Sequence, residues 1–267
     1  MKFQRLSVAV LLLFTSMLAN AAPQQLTMGI FPYASTSQLV SHHKNVKNHI
    51  NKTDEFNLSL VTATDVPTYF KNLKNFEYDL IYSAPHIARF VEKKFGYLRV
   101  AMTTHQISGV LLTSENSSIH TVNDLKEKKI SMGPTKTILH QIMLKQLEKN
   151  NIVPGKNIEL KVANTHSNAI FDVVNGESDA AVTGIKLWKK LPQRHKQGIR
   201  EVGLTDPTTG FIILAKPGTN PTTIKKLRES FLSFNQSLAG KTYIFKGFKP
   251  ITDEAMQSLD FHARVFE

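Results

Sequence analysis

The chain has 267 residues, with 33 Lys plus Arg against 21 Asp plus Glu, a formal net charge of +12 with His neutral, 41% hydrophobic residues and no cysteine. A composition so near the globular average excludes a disordered or collagen-like chain and a disulfide-stapled miniprotein. Without Cys there is no thiolate chemistry, no Cys-ligated zinc or iron–sulfur centre and no thioether-linked lipid anchor.

The first 21 residues read as a secretory signal: Lys2 and Arg5 make a charged start, Leu6 to Leu18 is an apolar run, and Ala19-Asn20-Ala21 supplies small residues for cleavage. The apolar run is shorter than the roughly 20 residues a spanning helix needs, and no later segment approaches that length. Cleavage after Ala21 leaves 246 residues with 31 basic and 21 acidic side chains, a net charge of +10. An exported chain without a lipid-accepting Cys is expected to diffuse freely, in a Gram-negative periplasm.

Short apolar runs of strand length follow at Leu26 to Ile30, Phe56 to Val61, Asp79 to Tyr82 and Leu98 to Met102, with helical segments between them. Val110 to Thr113, Ile130 to Met132, Ile158 to Val162, Ala180 to Thr183, Ile199 to Gly203 and Phe211 to Ala215 continue the series. Alternating strand and helix predicts parallel sheets covered by helices. Ten strands in one sheet would be unusual, so two sheets of about five are expected. Helices are read where Ile138, Leu139, Ile142, Met143 and Leu147 follow Pro134, and where Ala169, Ile170, Val173 and Val174 precede Asn175-Gly176. Between Pro221 and Gly240 the stripe Ile224, Leu227, Phe231, Phe234, Leu238 predicts one continuous core-packing helix ended by the glycine. There is no repeat and no long Gly/Ser linker. Two polar stretches, Thr103 to Ser108 and Thr205 to Gly210, are the expected crossings between two lobes.

Four pieces carry a resemblance when taken in order: Gly29-Ile30-Phe31-Pro32-Tyr33, Tyr78 to His86, Asn123 to Gly133, and Thr165-His166 through Asn175 to Val182. Together they resemble the phosphate/phosphite/phosphonate substrate-binding proteins of ABC importers, over about the whole mature chain. The resemblance implies the type II periplasmic-binding fold: two α/β lobes, each a mainly parallel sheet flanked by helices, joined by two crossing segments and closing on a small ligand. The crossings place 22–105 plus 210–267 in lobe 1 and 106–209 in lobe 2.

In an open α/β sheet, ligands gather beyond the carboxyl ends of the strands, where helix starts present unpaired N–H groups. An oxyanion is therefore the expected guest. Gly133-Pro134-Thr135-Lys136-Thr137 stands at such a junction; Thr135 and Thr137 offer hydroxyls and Lys136 a full charge, while capping by Thr135 is the plainer alternative. The family resembled has a Ser/Thr-rich phosphonate-binding turn at this place, from which Lys136 departs. His166 matches a family His that contacts the phosphonate group. Tyr82, Ser83 and His86 follow a strand, with Ser83 expected to cap the next helix beside Pro85. Tyr33, Ser35 and Thr36 repeat that arrangement after the first strand, and Thr183 ends another.

His42, His43 and His49 read as a solvated helix face and not as a metal site. His86 with His166 as a cleft-bound metal pair is a minor alternative, so no metal and no cofactor are expected. The absence of H-E-x-x-H, G-x-S-x-G and Walker patterns argues against the common hydrolase and nucleotide signatures. Enzymatic relatives of this fold, the thiamin-pyrimidine synthases, rely on a Cys-rich motif this chain lacks. Lysine spread over every helix argues against nucleic acid. The expected protein is thus a monomeric, non-enzymatic periplasmic binder of a small anion, serving an ABC permease or, alternatively, a membrane sensor or kinase.

Overall fold

The computed structural model describes residues 22–267, and the expected signal segment 1–21 lies outside the described residues. The first half runs β1 (Gln24–Ile30), α1 (Thr36–Asn51), β2 (Phe56–Thr62), α2 (Val66–Lys74), β3 (Leu80–Ser83), α3 (Pro85–Phe95) and β4 (Leu98–Thr103). The chain then passes through β5 (Gln106–Ile107) to β6 (Gly109–Ser114), β7 (Lys129–Met132), α4 (Ile138–Lys149), β8 (Glu159–Val162), α5 (His166–Val174), β9 (Ala180–Gly184), α6 (Ile185–Lys190) and β10 (Ile199–Leu204). It returns through β11 (Thr208–Thr209) to β12 (Ile212–Ala215), α7 (Pro221–Ser233), α8 (Leu238–Lys241), β13 (Phe248–Lys249), α9 (Asp253–Gln257) and α10 (Asp260–Ala263). Each run read as a strand from the sequence forms one; the short β5, β11 and β13 were not foreseen.

Two main sheets result, ordered β13-β4-β12-β3-β1-β2 and β10-β6-β9-β7-β8, while β5 and β11 pair antiparallel with each other. Within each sheet three adjacent strands are parallel: β2, β1 and β3 in the first, β8, β7 and β9 in the second. The strands β12 and β6 run against them. Both are the first strand after a crossing. A strand that enters its lobe at the crossing starts where the parallel strands end, so it must run the opposite way. This geometry turns the carboxyl ends of the parallel strands of both sheets toward the crossings.

Along β3 the side chains alternate between two cores. Leu80 and Tyr82 pack with Met28, Ile30, Leu39 and Phe231, whereas Ile81 packs with Tyr69, Ile87 and Val91 on the other face. A strand buried on both faces carries a continuous apolar run, as this one does. The lobes share one backbone device. The carboxylate of Asp79, just before β3, accepts from Thr27 N–H of β1 at 2.8 Å, and that of Asp179, just before β9, accepts from Lys129 N–H of β7 at 2.7 Å. Each sets the register of a central parallel pair.

The helix expected from Pro221 to Gly240 is broken. α7 ends at Ser233, a 3-10 turn covers Phe234–Gln236, and Ser237 starts α8 by accepting from Gly240 N–H at 2.9 Å. Gly240 does not stop a helix. A Cβ there would stand 1.9 Å from the Phe234 carbonyl oxygen, so the glycine lets the two turns pack together. Leu238, assigned to the core stripe, is 81% exposed because the break rotates it outward.

Candidate functional site

At the carboxyl end of β3 the local structure departs from the expected Ser83 cap. Ala84 is the N-cap residue of α3, with Pro85 in its first turn and no side-chain cap. Ser83 remains the last residue of the strand, and its buried hydroxyl has no hydrogen-bond partner among the described residues. His86, 1% exposed, follows on the first turn of α3. Its Nε2–H donates to the Lys136 carbonyl of the other lobe at 3.0 Å, which leaves Nδ1 as an unpartnered, buried acceptor. Burial holds the His86 pKa down to about 4, against a raising effect from that carbonyl, so the ring is neutral at pH 7.

The opposing wall comes from the second sheet. Thr137, and not Thr135, caps α4: its hydroxyl accepts from His140 N–H at 3.4 Å and donates to the Pro134 carbonyl at 2.8 Å. Thr135 and Lys136 are exposed, and what they present inward is backbone; the Thr135 carbonyl accepts from Gln141 at 2.8 Å. His166 is the first residue of α5, capped by Thr165, whose hydroxyl accepts from Asn168 N–H at 3.0 Å. The His166 ring lies so close to Gly133 that a Cβ there would be 2.3 Å from Nδ1, which explains why a glycine follows β7. That Nδ1 is buried without a partner, and desolvation, with His140 nearby, lowers its pKa. Thr183 near the end of β9 is fully buried, and its hydroxyl too has no partner.

Tyr33 and Tyr82 belong to a second group, which the sequence did not reveal. The Tyr33 hydroxyl lies 3.1 Å from both His42 Nδ1 and His43 Nε2, and His43 Nδ1 lies 2.9 Å from the Tyr243 hydroxyl. Tyr82 stacks on Phe211 at 4.9 Å, and His43 meets the Tyr82 ring edge-on at 4.4 Å. The reading of His43 as part of a solvated face is therefore wrong. It is fully buried, with its pKa pushed down to about 3 by desolvation, because α1 is pressed against the sheet along its Leu39-His43-Val46-Ile50 stripe. His105, in the first crossing, stacks on Phe211 at 6.3 Å, and its Nδ1 is buried and unpartnered. Gly210 allows that approach, since a Cβ would fall 2.3 Å from the His105 carbonyl.

Ser35 and Thr36 are exposed at the start of α1, where the Gln38 side chain accepts from Ser35 N–H at 3.3 Å. They are not brought to the gap between the lobes by any contact in the structure. A separate cavity of about 310 Å³ lies beside the crossings, lined by Gln106, Thr208, Lys145, Lys149, Asp206 and His262 among others. Its cations are already engaged, Lys149 with Asp206 and Lys145 with the Ser258 carbonyl at 3.4 Å. Among the described residues no group of three His, Asp or Glu is placed to hold a metal, and no helix is long and apolar enough to cross a membrane.

Five of the residues singled out from the sequence, Tyr82, Ser83, His86, His166 and Thr183, thus present buried polar atoms without a partner among the described residues, three from the lobe of the first sheet and two from that of the second. Native proteins pair the large majority of buried polar side-chain atoms, so each of these orphaned atoms calls for an explanation. The fold is that of a two-lobed α/β protein, two sheets flanked by helices. The chain belongs to the family described as "ABC transporter, phosphonate, periplasmic substrate-binding protein", which matches residues 28–256.

Solved structures agree on the fold. PhnD1 from Prochlorococcus marinus (MIT 9301) in complex with methylphosphonate matches with a TM-score of 0.71 at 14% identity, over 91% of this chain and 98% of that one. XAC2383 from Xanthomonas citri bound to ATP gives 0.70 at 16% identity over 91% and 98%. The periplasmic aliphatic sulphonate binding protein SsuA from Escherichia coli gives 0.64 at 19% identity over 91% and 87%.

Proposed function

We propose that this chain captures a small tetrahedral oxyanion, a phosphate, phosphite or phosphonate, between its lobes in the periplasm and presents the closed complex to the permease of an ABC importer. The observation that carries this reading is the set of unpartnered atoms on Ser83, His86, His166 and Thr183. Residues 22–105 with 210–267 act as one moving body and 106–209 as the other, with β5 and β11 as the hinge. The chain works as a monomer. Membership of a phosphonate-binding family and likeness to a methylphosphonate complex support the ligand class.

The mechanism follows from the cost of closing empty. Each buried polar group left unsatisfied costs about 1–3 kcal/mol, so four of them oppose unliganded closure by several kcal/mol. A ligand oxygen that bonds to them reverses the sign, and closure becomes the favoured state only with ligand present. The Ser83 and Thr183 hydroxyls are neutral donors, and His86 presents a neutral imidazole acceptor. Because His86 Nε2–H is spent on the Lys136 carbonyl, its Nδ1 meets either a P–OH proton or an oxyanion that brings a proton to the ring. Binding therefore favours the singly protonated ligand.

Titration calorimetry of the mature protein against phosphate, phosphite, methylphosphonate and aminoethylphosphonate tests the reading. Saturable binding of at least one is expected, with proton uptake visible as a dependence of the heat on buffer. Silence across the set refutes it.

A further inference from the structure

Three residues beyond Thr183, α6 carries Lys186 over the edge of the gap. Its ammonium stands 5.1 Å from the centre of the Phe245 ring and donates to the Ile244 carbonyl at 3.4 Å, reaching from one lobe to the other. Lys190, one turn along, and Lys246, from the opposite lobe, add to desolvation in lowering its pKa. His42 and His105 surround the same ring at 6.2 and 5.3 Å. Desolvation lowers both, and the nearby charges acting on them are again Lys186 with Lys190, and Lys186 with Lys246. None of the three lysines forms an ion pair among the described residues, whereas Lys93, Lys129, Lys149, Lys161, Lys216 and Lys226 all do. His105 adds a buried nitrogen with no partner.

Lys186 and Lys190 thus stand on one side of the gap and Lys246, His42 and His105 on the other, and none of these lysines has a carboxylate partner among the described residues. Like charges brought together over an aromatic wall are screened less than on open surface, and they oppose closure unless an anion intervenes. We propose that the ligand carries a second anionic group beyond the head held at Ser83, His86, His166 and Thr183, and that this group sits at the mouth among Lys186, Lys190 and Lys246. The ligand class is a small bifunctional anion, such as a phosphonocarboxylate or a diphosphate. This rests on the interlobe oxyanion site proposed above, and it deepens that reading by naming what the rest of the ligand must offer.

The test compares matched pairs by calorimetry at one salt concentration: methylphosphonate with phosphonoacetate, and inorganic phosphate with pyrophosphate. The member with two anionic groups should bind at least about tenfold tighter, and Lys186→Met and Lys246→Met should each bring that ratio toward one. Both side chains are exposed, and unchanged melting temperatures would verify folding. Equal affinities within the pairs overturn the proposal, as does a loss of equal factor for both members in each variant, which would mean long-range attraction alone. If only the single-anion members bind, this proposal falls and the head site stands; if none of the four binds, both fall together.

Discussion

The replacement Thr183→Val removes one hydroxyl and keeps the branched shape that suits β9. In the structure that hydroxyl is fully buried without a partner, so the free protein loses no internal hydrogen bond. Its melting temperature should stay level or rise. The ligand, however, loses a hydrogen bond to a charged acceptor, worth about 1.5–3 kcal/mol, and the dissociation constant should rise roughly 10- to 100-fold. A control stands on the neighbouring strand. Thr113 of β6 is equally buried, but its hydroxyl donates to the Asp179 carbonyl at 2.7 Å. Thr113→Val should cost about 1–3 kcal/mol of stability, a fall of several degrees for a chain of this size, with ligand affinity unchanged. Calorimetry and thermal denaturation on the two variants read both quantities. The reasoning is refuted if Thr183→Val melts lower while its affinity matches the parent, since the hydroxyl would then serve the fold and not the guest.

Two further outcomes follow from the same geometry. Gly133→Ala puts a methyl group 2.3 Å from the His166 ring; the ring should swing out, with ligand affinity falling at least about tenfold and far-ultraviolet dichroism unchanged, and retained affinity would remove His166 from the site. Acid should destabilise the ligand-free protein through its buried imidazoles. His43, His86 and His262 have pKa values lowered by burial to about 3, 4 and 4, against 6.5 when unfolded. The unfolded chain therefore takes up protons first as pH falls below 6.5, and stability drops until the folded values are reached. At pH 5 each group contributes about 2 kcal/mol to that loss, roughly 6 kcal/mol for the three. Urea unfolding at pH 7.5 and 5.0 measures it, and a difference under about 1 kcal/mol would mean that the rings are hydrated.

Much of the architecture was legible in one dimension. Strand-length apolar runs, the stop at Asn175-Gly176 and the polar crossings are local signals, set by side-chain periodicity and backbone conformational preference within a few residues. The long C-terminal stripe misled because periodicity records which residues suit a helix; Ser237 and Gly240 interrupt it through contacts of their own. His43 misled for a related reason. Its place on a helix face was clear, but the depth of that face depends on Tyr33 and on Tyr243, 200 residues away.

The sequence by itself determined where helices begin beyond strand ends, and so which short segments carry Ser83, His86, His166 and Thr183. Only the tertiary structure decided that Thr137 does the capping in place of Thr135, that Ala84 frees the Ser83 hydroxyl, and that Lys186 meets Phe245 across the gap. The physical reason is that satisfaction of a polar atom is a property of its surroundings. His86 acquires its state from a carbonyl 50 residues distant in the other lobe, and no local pattern encodes whether a buried hydroxyl or imidazole has found a partner.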